Sequence, residues 1–416
     1  MVGYRATFSR WYASLQDPLY RNSFFIGAGR VFDGGFGFLF WILAARLYTA
    51  GQIGIATALI ATTELIVTFS RLGFDFALIR FLPLRNSKSV VSTCFWITII
   101  TSLAFGSLYL LIVPVISPSL GVIRDHVPAL LLFVAVFTIT WTTGNAFLSF
   151  RRAEYRVIQN LAMGLRIPLL LPLVFLGSMG IFYAAGLSNC VSALLALWFL
   201  RRFTKLEMRI DVPLARETLS FSIQNYLGFL LQSIPMLIMP TLLLNLLRPE
   251  DVALYFIAFS LGNLVLIIPD AVSTSFFVEG SHGADLKKGI RFSLAGIYVL
   301  LVPVVCAITL GGPWILGIFG SEYVAASNLL TLVVLSSFFV TLYNLFIPLQ
   351  NIRLKVSNII GINAIRLLLL VGITLFLVPA FGIMGVGWAW MATHAVLGIS
   401  IGLWLRYHGW IRGNED

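Results

Sequence analysis

The amino-acid sequence describes an all-α, polytopic membrane protein. Three features carry that reading: little charge, apolar runs of span length, and basic residues that recur at alternate connections. Of the 416 residues, 59% are hydrophobic and 11% charged, with 28 basic and 17 acidic side chains. Soluble domains carry about 25% charge. With a mean hydropathy of +0.95, this much apolar surface could not be hidden from water in one soluble core. A helical span needs about 20 apolar residues, so twelve spans would use roughly 240 and leave no room for a large extramembrane catalytic domain.

Twelve such runs are present. The first, 22–45, carries five glycines, Gly27, Gly29, Gly34, Gly35 and Gly37, with Arg30 and Asp33 among them. The second, 52–79, holds Glu64, Arg71 and Asp75. Runs 90–114 and 127–150 follow, then 156–177 with Arg166, then 181–200. The second set is 220–246, 252–278, 288–310, 324–350, 355–378 and 383–406. Gln224, Asn225 and Gln232 stud the first of these. Asn263 and Asp270 lie in the next, where Pro269 predicts a kink. Arg366 lies in the run 355–378. The expected organisation is an interfacial segment 1–21, an N-lobe 22–200, a linker 201–219, a C-lobe 220–406 and a tail 407–416.

Charge sets the expected orientation. With the N-terminus inside, inner connections hold 21 of the 28 basic residues, and outer ones hold only Arg46, Arg124 and Arg248. The positive-inside rule then places both termini in the cytoplasm and favours an even number of spans. Residues 1–21 contain Arg5, Arg10 and Arg21 but no long apolar stretch, so the first span is expected to be an uncleaved anchor. Phe8, Trp11, Tyr12 and Leu15 suit an interfacial position. So do Leu206, Met208, Ile210 and Leu214 of the linker.

The halves read as repeats. An offset of 199 sets Asp33 opposite Gln232, Glu64 opposite Asn263 and Arg71 opposite Asp270. At 200, Arg166 meets Arg366, and at 205, Gly180 meets Gly385. Two six-span units of equal topology are expected, related by an axis along the membrane normal.

Catalytic and metal-binding signatures are absent: the chain has no HExxH, GxxxxGK[ST], GxSxG or CxxC pattern. His126, His282, His394 and His408 have no metal-ligand spacing. Cys94, Cys190 and Cys306 sit within apolar runs, where free thiols are expected. The net charge of +11 is spread along the chain, unlike the patch of a nucleic-acid binder.

The ionisable residues inside the runs are the informative ones, because a central Arg costs about 2.5–3.5 kcal/mol on the insertion scale. Arg30 lies ~13 Å beyond Arg21, and Glu64 ~20 Å from the outer end of its helix, at similar depth. Asp33 shares a face with Arg30. Arg166 and Arg366 reach a similar level. One reading makes Arg30–Asp33 and Arg30–Glu64 packing pairs and lets Arg166, Arg366 and Arg71 snorkel, the last paired with Asp75. The other makes Arg30, Arg166 and Arg366 the lining of a polar cavity between the two halves, with excess positive charge over Asp33 and Glu64. Such a cavity calls for an anion, and Arg forks suit phosphate. Asp270 is a candidate coupling-ion ligand, with interhelical hydrogen bonding as the alternative.

The stretch Ala45–Pro83 resembles the start of Wzx-type polysaccharide-unit flippases, within the multidrug/oligosaccharidyl-lipid/polysaccharide exporter superfamily. The matching residues are Arg46-Leu47, Gly54, Leu72-Gly73 and Arg80-Phe81, and FGIMGVGWAW (Phe381–Trp390) is similar to the turn before that family's last helix. The resemblance implies two six-helix lobes in a V and export of a lipid-diphosphate-linked glycan by alternating access. It also implies cationic cavity residues on the diphosphate, with Arg30 the best match by position. Polyprenyl-diphosphate-linked glycan and membrane lipids are the implied partners, joined by polysaccharide-assembly enzymes. No cofactor is implied beyond H+ or Na+ coupling, and the implied location is the plasma or inner membrane. A multidrug antiporter of the same superfamily, favoured by Asp33 and Glu64, stays open. A glycan ligase or polymerase fits the short outer connections poorly.

Overall fold

The computed structural model describes residues 18–410, which are helical with no strand among them. Arg5, Phe8, Arg10, Trp11, Tyr12 and Leu15 of the expected interfacial segment, and Arg412 of the tail, lie outside the described residues. Helices are what apolar runs of this length must form. Hydrocarbon offers no partner to backbone N–H and C=O, so each run satisfies its own.

The helices are α1 (Pro18–Leu47), α2 (Ala50–Ser70), α3 (Phe74–Phe81), α4 (Ser87–Ile116), α5 (Val127–Ser149), α6 (Ala153–Met163), α7 (Arg166–Leu169) and α8 (Ser178–Leu200). They continue as α9 (Val212–Leu246), α10 (Pro249–Val265), α11 (Ile267–Ser281), α12 (Leu286–Gly317), α13 (Ser327–Ile352), α14 (Val356–Phe381) and α15 (Ile383–Tyr407). Among the described residues, 10 helical stretches are long and apolar enough to cross a membrane; α10 and α11, bent by 41°, make up to 11.

The runs that depart from single straight helices do so for identifiable reasons. Run 52–79 ends as α2 because Leu72 and Gly73 turn left-handed, at φ 47° and 81°. A side chain at Gly73 would also meet Ser222 and Tyr226 at 2.8 and 3.0 Å. The bend after α10 falls where Pro269 cannot donate to the carbonyl of Val265. The fifth run, 156–177, is not one helix: it breaks into α6, α7 and a 3₁₀ turn at Val174–Leu176. Pro168 and Pro172 remove two helical donors there. The Ile167 N–H turns to Gly164 O at 3.0 Å, and the carbonyl of Leu170 accepts from the Tyr48 hydroxyl at 2.9 Å.

The repeat is visible in local geometry. Asn86 accepts from the Lys88 N–H at the start of α4. Asp285, at the matching place before α12, accepts from Lys287 and Lys288. Arg151 and Leu354 are both left-handed, at φ 57° and 55°, and each ends its helix in the same hydrogen-bonded turn. Gly177 and Gly382 share one conformation before α8 and α15. Three residues on, a Cβ at Gly180 would lie 2.1 Å from Leu173 O, and one at Gly385 2.6 Å from Leu377 O.

The described residues form two compact units, 18–48 with 58–226 and 49–57 with 227–410. Residues 201–219 pack on the first. Leu206, Leu214 and Ala215 join a core with Phe74, Leu78, Val91 and Phe147, while Met208 is exposed. The segment is held by Ser92 Oγ and Thr93 Oγ1, which accept from Glu207 N and Asp211 N at 2.9 and 3.0 Å. Arg85 grips both oxygens of Glu217, at 2.9 and 2.7 Å.

Candidate functional site

A cavity of about 490 Å³ opens within the first unit, lined from α1 by Arg30, Asp33 and Gly37, from α2 by Glu64, and from α5 by Phe137, Thr140 and Trp141. Arg156, Gln159 and Asn160 of α6 and Arg166 at the start of α7 complete its charged and polar wall.

Small residues on α1 shape that wall. Asn160 Nδ2 donates to Gly29 O at 2.9 Å, a contact that a side chain at Gly29 would crowd at 3.4 Å. The Arg166 Nη2 lies 3.5 Å from where a Cβ of Gly37 would stand, and its guanidinium sits 5.3 Å over the Phe40 ring. The break after α6 presents Arg166 at the cavity instead of carrying it round a regular helix. A Cβ at Gly27, Gly34 or Gly35 would meet nothing within 4 Å.

Sequence reading places Arg30, Asp33, Glu64 and Arg166 together, and the structure gathers all four in this cavity. Arg71 stands beside it, buried at 4% exposure. It pairs with Asp75 at 3.2 Å, donates to Thr68 Oγ1 at 3.3 Å and lies 4.7 Å over the Trp141 ring. Arg366 is elsewhere, in the second unit, 6% exposed. It donates to the Tyr343 hydroxyl at 2.9 Å and stacks on that ring at 5.0 Å. Tyr343 in turn donates to Asn363 Oδ1, and Asn363 donates to Gly228 O at 3.2 Å. Gln232 is exposed on α9 and Asn263 half-buried on α10. Asp270, exposed on α11, accepts from Asn344 Nδ2 at 2.7 Å.

Arg156 is the cavity residue that sequence reading missed, having counted it with an inner connection. Its spacing from Gln159 and Asn160 was the available signal, since i, i+3 and i+4 share a helix face. It donates to Asn145 Oδ1 at 3.2 Å and lies 5.5 Å from the Trp141 ring centroid.

Three guanidiniums, Arg30, Arg156 and Arg166, thus share one cavity with two carboxylates, Asp33 and Glu64. None of the five joins an ion pair within 4.0 Å among the described residues. The packing pairs Arg30–Asp33 and Arg30–Glu64 are not formed. Cations gathered in a recess and left without contact carboxylates can receive an anion, and guanidinium forks match the oxygens of phosphate.

Comparison with known proteins gives a family and a fold. A polysaccharide biosynthesis protein family matches residues 19–277, more than half of the chain. Curated protein sequences return no match. Among solved structures, the lipid II flippase MurJ in an inward closed conformation superposes with a TM-score of 0.72 at 11% identity, over 91% of this chain and 87% of that one. An inward-facing multidrug resistance MATE transporter of the MOP superfamily gives 0.68 at 16%, over 90% and 93%. A MOP superfamily transporter from Pyrococcus furiosus, described by the reverse polarity of its binding pocket, gives 0.62 at 15%, over 94% and 95%. At such identities the likeness is one of fold.

Proposed function

The chain belongs to the polysaccharide biosynthesis protein family, and from that premise we propose that it flips a lipid-diphosphate-linked oligosaccharide, a polysaccharide repeat unit, from the inner to the outer leaflet. It is a multi-pass membrane transporter of the MOP fold and not an enzyme. The observation that carries the substrate class is the cavity charge: three guanidiniums face two carboxylates, none of them neutralised by contact. A diphosphate supplies the missing negative charge and several acceptor oxygens for planar forks. Arg30 and Arg166 are the proposed diphosphate ligands, with Arg71 behind them.

The rest of the reading follows from the sequence. Twelve spans in two six-helix lobes, both termini cytoplasmic, agree with the 21 to 3 bias of basic residues. The broken segment 153–177 then counts as the span that is not one helix. Alternating access in a plasma or inner membrane carries the anion outward, and where the exterior is positive each exported negative charge gains ~2.3 kcal/mol per 100 mV. Coupling to H+ or Na+ is assigned to Asp33 and Glu64 in the cavity or to Asp270 on α11. Polysaccharide-assembly enzymes supply and consume such a substrate.

Asp33 and Glu64 also keep a second reading, exchange of organic cations, within the same fold. Reconstitution separates the two. Proteoliposomes are loaded with a polyprenyl-diphosphate-linked glycan or with a cationic dye. Flipping of the glycan lipid with no dye transport is the expected result. Dye transport that Asp33→Asn or Glu64→Gln abolishes, with the glycan lipid unmoved, would overturn the flippase reading.

A further inference from the structure

Thr140 on α5, Gln159 and Asn160 on α6, and Asn189 on α8 bring neutral polar groups to the cavity wall. Hydrocarbon gives such groups no partner, so where each spends its hydrogens shows what it has left. The Thr140 hydroxyl donates to Val136 O at 2.9 Å, which leaves its oxygen as an acceptor. Gln159 Nε2 donates twice, to Thr143 Oγ1 at 2.9 Å and Thr140 O at 3.3 Å. Its oxygen is packed against Gly144, 3.2 Å from where a Cβ would stand. Gln159 is thus taken up in joining α6 to α5.

Asn160 and Asn189 are not taken up in this way. Each anchors its NH2 group on a backbone carbonyl, Gly29 O at 2.9 Å for Asn160 and Ala185 O at 3.0 Å for Asn189. A carbonyl only accepts, so these bonds fix which end of each amide is nitrogen. The amide oxygen is then turned away from its anchor. Among the described residues neither oxygen accepts a hydrogen bond, and both stay accessible at the cavity wall.

Guanidiniums and amide oxygens make opposite demands on a ligand. An ionised phosphate has acceptors only, so Arg30, Arg156 and Arg166 can hold it, and the oxygens of Thr140, Asn160 and Asn189 can receive nothing from it. Those oxygens call for O–H or N–H donors. One recess presents both demands, so one ligand meets them best by carrying donors next to its phosphates. A sugar does so, with its ring of hydroxyls. We propose that Asn160 and Asn189, with Thr140, read the sugar that adjoins the diphosphate, accepting from its hydroxyl or acylamino groups. This rests on the reading of the cavity as a site for a lipid-linked diphosphate. It adds the residues that distinguish a glycosylated lipid from a bare one.

The test compares two ligands on the purified full-length protein in detergent: farnesyl diphosphate, and farnesyl diphosphate joined to N-acetylglucosamine. Farnesol is the uncharged control. Asn189→Leu is expected to weaken binding of the glycosylated ligand about fivefold, the scale of one neutral hydrogen bond, and to leave farnesyl diphosphate within about twofold of wild type. Asn189→Ser should fall between, because its hydroxyl can bond back to Ala185 O and still accept. An equal loss for both ligands would mean that Asn189 only holds the helix in place, and it overturns the proposal. So does an Asn189→Leu protein that binds the glycosylated ligand like wild type. Wild-type protein that binds neither diphosphate better than farnesol overturns the anion reading itself, and the sugar-reading role with it.

Discussion

Arg166 and Arg366 stand 200 residues apart at matching places in the two halves, and the halves use them in opposite ways. Arg366 lies within an unbroken α14, its guanidinium spent on Tyr343 in a buried chain that runs through Asn363 to Gly228 O. Arg166 opens a four-residue helix after a break and faces the cavity with Arg30 and Arg156. The local sequences explain the difference. Where the first half has Gly164, Pro168 and Pro172, the second has Ala364, Leu368 and Gly372. Two prolines stop the helical ladder on one side only. The same arginine in the same repeat is thereby packed on a tyrosine in one unit and lines a cavity in the other.

The largest effects expected from breaking this comparison lie where the halves agree. Gly180→Val and Gly385→Val each push a side chain into a backbone carbonyl that cannot swing away. Roughly 3 kcal/mol or more of stability should be lost at either site, with Gly180 the worse because its contact is closer. Thermal unfolding in detergent reads both.

The arginine pair sharpens the contrast by a double dissociation. Arg366→Ala should cost about 2 kcal/mol of stability, from the void and from the lost donor to Tyr343, and leave affinity for a prenyl diphosphate unchanged. Arg166→Ala should do the reverse, weakening that affinity about tenfold, or ~1.4 kcal/mol, with little change in unfolding temperature. Equal behaviour of the two variants would erase the distinction between the halves.

Much of the fold was legible in the sequence because a bilayer imposes simple demands. Spans must be long and apolar, and basic residues must collect on one side, so the runs could be placed by counting. The turns were less legible. Leu72-Gly73 and the prolines of the fifth run hardly disturb mean hydropathy, and a count of apolar residues passes over them. Counting gives depth, and Arg30, Asp33, Glu64 and Arg166, placed at one depth, line one cavity. It does not give azimuth, the direction in which a helix turns its side chain, and Arg366, expected with them, packs on Tyr343 in the second unit. Arg156 was missed for a related reason. A basic residue near a run's end reads first as a topology signal, whichever helical face it occupies. Trp141 carries no charge, and only the packed structure shows what meets its ring.

The helix caps offer a smaller test of the repeat. Asp285 receives two backbone N–H groups and Asn86 one. Replacing Asp285 with Ala should cost about 1 kcal/mol and replacing Asn86 about 0.5, again read by thermal unfolding.

The smallest expected effect is one of pH, on the segment between α8 and α9. The N–H of Leu214, then the Ser89 hydroxyl, hold the Asp211 carboxyl below its ordinary value. Stabilisation from a lowered carboxyl is present above the unfolded-state value, near 3.9, and is lost as pH falls through the folded one. The difference in unfolding temperature between wild type and Asp211→Asn should therefore be steady at neutral pH and close only in acid.

The central claim is that free guanidiniums of the first unit hold a lipid-linked diphosphate, and Arg30 tests it most directly. Lipid-linked glycan is counted on each leaflet in cells that carry wild type, Arg30→Ala or Arg30→Lys at equal protein level. Accumulation on the inner leaflet with Arg30→Ala, partly relieved by Arg30→Lys, is the predicted result. Export that continues unchanged with Arg30→Ala would contradict it.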